Sequence, residues 1–527
     1  MVIDINELER NTLHRADICV IGSGAAGITL AREFIGTSHS VIVLEAGGNL
    51  FEEPSQDPYR SSLLGLQHGG VNNGRVRVLG GSTTLWAGQA LPLFDIDFSK
   101  REWVPDSGWP INKKTLDPYY RRAEEVMQIP HSTNDCHSWP VPQRVDYDPD
   151  DLVSYYSQFT STPDFSRKYR AALASASNIR LFTHANVVSL EANPKGSLLQ
   201  AVKVRSLDGH CVSVQARYFT VCCGGVETAR LLLASDSVEQ NGIGNQHGVV
   251  GRYFQDHPGV ALPVRPTDVK KFSAFYDSAR RDGIRYCIKI AASERLQRRE
   301  QILHIGGEIY YPFSSDNPIS AAKDLIEVLR HPRKFKQFPS AAARVARRPD
   351  RVVGAAYRYY VRGIPPSVGS TIPHIGFGGE QQPNPHSRVM LSQERDALGM
   401  RRTALDWRLT SHDSHSISTY IKTVATAWKR MGIAFVDPDQ IQLLGREKGE
   451  NGGYVDANHH MGTTRMGSDV KTSVVDARCR VHGYHNLYVG SSSVFPTGGF
   501  SNPTLTVIAL CLRISDELKQ NLENYTQ

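Results

Sequence analysis

The chain has 527 residues, 40% hydrophobic and 21% charged; that balance excludes a disordered, collagen-like or coiled-coil protein and allows about two to four folding units. The formal charge of +7 is localised: residues 321–362 carry eleven Lys/Arg against three acids, while 49 basic and 50 acidic residues elsewhere cancel, so the protein as a whole is not a polyanion binder. No apolar run nears the ~20 residues of a membrane span, and residues 1–10 (MVIDINELER) lack the cationic start and apolar core of a secretory signal, so the expectation is a soluble cytoplasmic protein.

The eight cysteines include no C-x-x-C pair, and Cys19, Cys222 and Cys511 lie in apolar runs. Buried free thiols, with neither disulfides nor a metal site, are expected.

The first unit runs from Asp17 to Glu45. An apolar strand (DICVI) meets Gly22-Ser23-Gly24-Ala25-Ala26-Gly27, a helical stretch (ITLAREFIG) follows, and a second strand (SVIVLE) closes a βαβ unit. A Gly/Asn-rich stretch spans 68–88. Asp117-Pro118 reads as an N-cap with proline at the first helical position, and Pro130 as the stop. Residues 181–236 alternate as strands, then Gly224-Gly225 turns into a helix over 227–235. The basic stretch 321–362 is interrupted by Pro332, Pro339 and Pro349, which restricts it to two or three short helices. At the C-terminus a short strand over 487–489 leads into a turn-rich loop and an apolar helix over 503–518.

The glycine turn has a mechanical purpose. Gly22 permits the tight turn, Gly24 lets backbone approach a pyrophosphate, and Gly27 allows close strand–helix packing, with the helix N-terminus facing the phosphates. Glu45 ends the second strand, where a carboxylate can accept from ribose hydroxyls and would repel a 2′-phosphate. No Lys or Arg follows in residues 46–49, so NADP is disfavoured. The turn alone does not separate FAD from NAD.

Two features near the C-terminus point to redox chemistry. One is His459-His460-Met461-Gly462, a histidine pair in a glycine-bounded loop; the other is Asn502-Pro503-Thr504, where proline at the helix start makes Asn502 the natural N-cap. Oxidising an alcohol requires a proton taken from oxygen and a hydride from carbon. A neutral imidazole can take the proton, a side-chain amide can orient the hydroxyl, and the helix N-terminus can stabilise negative charge on a reduced cofactor. A loop histidine or an N-cap Asn taken alone is more often structural; a redox cofactor in the same chain changes that reading.

These residues, with VLGGSTTLWAG at 78–88, VCCGGVETARLLL at 221–233 and NLYVGSSSVFPTGGFSNPTLT at 486–506, occur in family order, and the chain resembles the glucose–methanol–choline (GMC) flavoprotein oxidoreductases from end to end. Its nearest likeness is to the pyranose-oxidase-like, bacterial sugar-oxidising branch. The resemblance implies an α/β fold with a Rossmann-like FAD-binding domain (12–100, 180–260 and 452–520) and an α+β substrate domain (101–179 and 261–451) carrying a basic helical insertion at 320–362. It implies His459 as catalytic base, with His460 as the fallback if the register is one off, and Asn502 as the second catalytic position. For the cofactor it implies Gly22, Ser23, Gly24, Ala25, Ala26 and Glu45 at the nucleotide, Gly80, Gly81, Ser82, Trp86 and Ala87 near the flavin, and Val187 at the adenine. Gly490, Ser491, Asn502, Pro503 and Thr504 complete that set. Ser491 stands where the family has an acid, which places a side-chain contact there in doubt. Ala87 and Ala457 would leave room at the flavin's reactive face. Leu85 occupies the position of the histidine that bonds flavin in covalently linked relatives, so FAD is expected to be held non-covalently.

The resulting expectation is FAD-dependent oxidation of an alcohol on a sugar, glycoside or polyol, with oxygen or another acceptor taking the electrons. The alternatives are a GMC-fold lyase with structural FAD, an NAD-dependent Rossmann dehydrogenase with no use for the His/Asn pair, and a binding protein in which that pair is incidental. Residues 321–362 read as an amphipathic insertion with a solvated basic face, with weak membrane-surface or acidic-partner contact as the other use; nothing indicates nucleic acid. Asn524-Tyr525-Thr526 fits a glycosylation pattern that is meaningless without secretion.

Overall fold

A computed structural model describes residues 1–131, 145–311, 372–437 and 454–524, together with 321, 322, 325, 338–347 and 349–357. Its largest sheet is built from both ends and the middle of the chain. Val2–Asp4, Ile179–Thr183, Val41–Leu44, Thr12–Ile21 and Cys211–Val221 run parallel in that order. Leu487–Val489 extends the parallel set along the end of Cys211–Val221. The start of Cys211–Val221 instead pairs antiparallel with Leu199–Arg205, which pairs in turn with Asn186–Ala192. Val2–Asp4 thus joins this sheet ahead of the expected boundary at residue 12.

The central strands are apolar on both faces because helices cover them. Ile18–Ile21 and Val41–Leu44 are buried throughout. The helices Ala25–Arg32, Phe165–Ser175 and Thr504–Asn524 pack together, and Lys113–Met127 packs on Thr504–Asn524.

A second, antiparallel sheet takes Ala434–Val436, Gly259–Pro266, His374–Gly379, Ile305–Tyr310, Ile284–Ala292, Leu152–Phe159 and Gln89–Ala90 in order. One face packs against the helix Ser411–Arg430. Ile417, Tyr420, Ile421, Val424 and Trp428 recur on that helix at three- and four-residue spacing and bury against Val264, Ile290, Ile305 and Ile375. The other face, towards the parallel sheet, is left for the site. A small sheet of Arg388–Arg395, Arg401–Asp406 and Ser61–Leu63 lies alongside.

Two local expectations are corrected. The helix Lys113–Met127 begins four residues before Asp117: Asn112 is the cap, its side chain accepting from Thr115 N at 3.0 Å, and Pro118 lies inside the helix. Asp117 instead pairs with Lys113 one turn back, at 2.6 Å. The stop is Gln128, in the left-handed conformation at φ 56°, two residues before Pro130.

The seven described cysteines are free, with Cys19, Cys222 and Cys511 buried. Within the basic stretch Phe338–Arg347 and Pro349–Ala356 are helical; the expected surface contact through 321–362 falls partly outside the described residues. No helix among the described residues is long and apolar enough to cross a membrane.

Candidate active site

The glycine turn is fixed sterically. Gly22 has φ +101°, and a Cβ there would lie 2.7 Å from the Cys222 carbonyl oxygen. A Cβ at Gly27 would lie 1.8 Å from the Gly22 oxygen. Gly24, the N-cap of Ala25–Arg32, is different: nothing lies within 4 Å of its Cβ position and no side chain caps the helix. The first-turn N–H groups therefore face open space, as an anion requires.

Glu45 is buried; its Oε2 accepts from the Ser23 N–H at 3.1 Å and from the Ser23 hydroxyl, and its Oε1 from Gly47 N at 2.9 Å. Burial raises its pKa, opposed by these hydrogen bonds and by Arg77. Oε1, with a single donor, keeps capacity for another.

A cavity of about 790 Å³ runs from this turn to the C-terminal loop. Every cofactor-binding residue expected from the sequence lines it except Gly80. Gly80 is instead a turn residue at φ +95°, donating to the Ser23 carbonyl at 3.1 Å and leading into a short 3₁₀ turn over Gly81–Thr84. Ser491 lines the cavity, but its hydroxyl accepts from Ser493 N at 3.1 Å. Leu85 and Ala457 also line it. A bare glycine at a free helix N-terminus, a buried carboxylate one strand away and an elongated cavity of this size together fit a dinucleotide such as FAD. Arg75 and Arg77, distant in sequence from Glu45, reach this cavity as well; Arg75 pairs with Glu227 at 2.8 Å and Arg77 donates to Asn186 Oδ1.

At the far end, His459 and Asn502 come together, with Asn502 Nδ2 3.5 Å from His459 Nε2, at the outer limit of a hydrogen bond. The Asn502 side chain does not cap its helix, contrary to expectation: its Oδ1 is buried and unpartnered. His460 turns away and packs on His68 and Phe254, with ring centroids 5.2 and 5.9 Å away.

Sequence reasoning missed the residues that hold this loop. His257 Nδ1 lies 2.9 Å from His459 Nδ1, so one ring must donate and the other accept. A proton on His459 Nδ1 satisfies both neighbours, because Nε2 can then accept from the Asn502 amide. The network assigns that tautomer, leaving the His459 Nε2 lone pair on the cavity side.

Asp256 is fully buried; its Oδ1 accepts from the N–H groups of His257, Ala457 and His459 at 2.6, 3.2 and 3.0 Å, and its Oδ2 meets His68 Nε2 at 2.8 Å. Val71 N donates to His68 Nδ1, so His68 carries its proton on Nε2 and donates to Asp256. Ligand atoms of His68, Asp256 and His460 lie within 4.8 Å of one another, yet this tautomer makes the group a hydrogen-bonded anchor. Asp456 accepts from Gly69 and Gly70 N–H groups, and Asn458 sits at φ 61° with its amide in space left by Gly70 and Gly74. The only local signal for Asp256 and His257 was the dipeptide itself within FQDHPG.

Burial lowers the pKa of His459, with Asp256 and Glu308 opposing and Lys289 reinforcing it; burial drives His257 down to about 3. Both rings are therefore neutral at neutral pH. A second cavity of about 300 Å³ opens on the other side, floored by the antiparallel sheet; Gln89, Ala457, His459 and Asn502 line both cavities. The His459 imidazole and the Asn502 amide thus stand where the long cavity meets a separate chamber.

Residues 383–511 match the family model described as GMC oxidoreductase. The 6'''-hydroxyparomomycin C oxidase of Streptomyces lividus is 25% identical, over 98% of this chain and 93% of that protein. The fructose dehydrogenase large subunit of Gluconobacter japonicus is 22% identical, over 96% and 98%. Among solved structures, pyridoxine 4-oxidase from Mesorbium loti superposes with a TM-score of 0.54 at 17% identity, covering 95% of this chain and 99% of that one.

Proposed function

The chain belongs to the GMC oxidoreductase family, and from that premise we propose that it oxidises an alcohol group of a sugar, glycoside or polyol to a carbonyl, with His459 as base and Asn502 as its partner. The observation that carries this reading is the position of those two side chains on the wall shared by the cofactor cavity and the chamber. Bound along the long cavity, FAD supplies the hydride acceptor.

The chain's own residues handle the proton. A hydroxyl entering the chamber takes the place of the long Asn502 contact at the His459 Nε2 lone pair, which takes its proton; the Asn502 amide then hydrogen-bonds the oxygen and fixes the carbinol C–H direction. Asp256 lies behind the loop and favours the imidazolium that forms. His257, accepting from His459 Nδ1–H, keeps the ring in its reactive tautomer. Ala87 and Ala457 keep side-chain bulk away from the junction.

Leu85 beside the cavity supports non-covalent attachment, since its side chain offers no nucleophile to form a bond. The free thiols support a reducing compartment such as the cytoplasm. The relatives reported above are named for oxidation or dehydrogenation, which disfavours the lyase reading.

The test is anaerobic titration of purified protein with a panel of sugars, glycosides and simple alcohols. Bleaching of a flavin spectrum is expected, and admitting air afterwards separates oxygen from another acceptor. Colourless protein, or a yellow protein that no alcohol bleaches, overturns the proposal.

A further inference from the structure

The chamber floor is open at Gly378, where nothing lies within 4 Å of the Cβ position, is covered by the Phe500 ring at Gly306 and the Tyr310 ring at Gly376, and carries one ion pair. Ile290 pairs with Gly307 and Ala291 with Gly306, a register that sets Lys289 opposite Glu308. Glu308 pairs next with Gly376 and that with Ala261; Gly306 pairs with Gly378 and that with Gly259. Because residues two apart share a face, Lys289 and Glu308 sit beside Ala261, Gly259, Gly306, Gly376 and Gly378, and all of them line the chamber. Among the described residues that pair supplies the charged groups of this strip, and Asp456 lines the chamber as well.

The pair is poised for a ligand. Lys289 Nζ lies 2.8 Å from Glu308 Oε2, which also takes Gln89 Nε2 at 3.2 Å and lies 3.4 Å from Cys287 Sγ. All three contacts converge on Oε2; among the described residues none reaches Oε1. Lys289 uses one of three donors on Glu308. Charges of opposite sign 2.8 Å apart leave the pair neutral overall, and they act on His459 with opposite sign. The chamber therefore offers a free acceptor next to free donors, beside a floor that the Phe500 and Tyr310 rings partly line.

We infer that Lys289 and Glu308 are specificity-determining residues for a neutral polyhydroxylated ring with two adjacent hydroxyls. One hydroxyl donates to Glu308 Oε1, its neighbour accepts from Lys289 Nζ, and the ring lies over the chamber floor with a further hydroxyl at His459. This rests on the alcohol-oxidation reading above and adds which alcohols are taken. A monohydric alcohol reaches His459 but leaves the pair unused.

The experiment is anaerobic rapid mixing of FAD-loaded wild type, Glu308→Gln and Lys289→Met with D-glucose, D-fructose, methyl β-D-glucopyranoside, cyclohexanol and 1-butanol, following flavin absorbance. Wild type should be reduced more efficiently by polyhydroxylated members than by either monohydric alcohol. Each substitution should raise the half-saturating sugar concentration about tenfold or more, the cost of losing a charge-assisted hydrogen bond, and exceed its effect on the limiting rate. No reduction of wild-type flavin by any compound sinks the underlying function. Reduction by sugars with unchanged half-saturation in both variants overturns this inference alone. So does wild type that prefers the monohydric alcohols, a result that requires neither variant to fold.

Discussion

At the residue scale, two chemically similar neighbours have different tasks because of what surrounds them. His459 has a histidine behind it and an amide in front, whereas His460 has aromatic rings on two sides. Replacing His257 with Ala removes the acceptor for His459 Nδ1–H and frees the ring to change tautomer. Limiting flavin reduction should fall roughly 10- to 100-fold with FAD still bound, as measured by anaerobic rapid mixing; an unchanged rate contradicts the assigned tautomer. The sign of a second effect follows from charge. A base must be neutral to act, so activity is lost as pH falls through the pKa of His459, which burial places below the ordinary imidazole value of ~6.5. The Glu308 carboxylate opposes that lowering, so Glu308→Gln should move the acid limb of kcat/KM to still lower pH. An unchanged acid limb would show that Glu308 does not act on this base.

At the element scale, glycine decides where structures can touch. Gly225 lies in the first turn of the helix Gly224–Ala234, against the loop that carries His459, and a Cβ there would lie 2.2 Å from the His460 carbonyl oxygen. Gly225→Ala should therefore cost about 1–3 kcal/mol, lower Tm and weaken FAD retention together; an unshifted melting curve contradicts it. The capping correction gives another contrast. Asn112→Ala should cost about 0.5–2 kcal/mol, while Asp117→Ala, removing a partly exposed ion pair, should cost a few tenths, both read from denaturant unfolding.

The same elements show what was legible. Gly22 to Gly27 and Glu45 could be read because they belong to a short motif whose spacing carries its mechanics, whereas His459 and Asn502 stood out through the family resemblance of their segments. Asn112 was passed over because Asp-Pro is the stronger local signal, although a proline within the helix is tolerated here. Asp256, His257, Lys289 and Glu308 carry no local mark. Their roles come from contacts across about 200 residues, as between His257 and His459, or from strand register, neither of which periodicity encodes.

At the scale of the whole molecule, the parallel sheet needs residues 2–44, 179–221 and 487–489 at once, and the cavity draws its walls from segments within 21–46, 59–89, 185–231, 398–400, 457–460 and 490–507. FAD bound there links folding to cofactor concentration, so removing it should lower Tm and added FAD should restore it. With Leu85 beside the flavin site, acid or heat denaturation should release all FAD into the filtrate; flavin that stays on the polypeptide would contradict non-covalent binding.

The most direct measurement is the rate of anaerobic flavin reduction by one sugar in wild type and His459→Ala, from about pH 5 to 9. The expected wild-type rate rises to a plateau with its midpoint below the ordinary imidazole value. The variant should stay yellow, lack that limb and react roughly 10²- to 10⁴-fold more slowly on the plateau. A variant that keeps both the wild-type rate and its pH dependence would show that another group takes the proton.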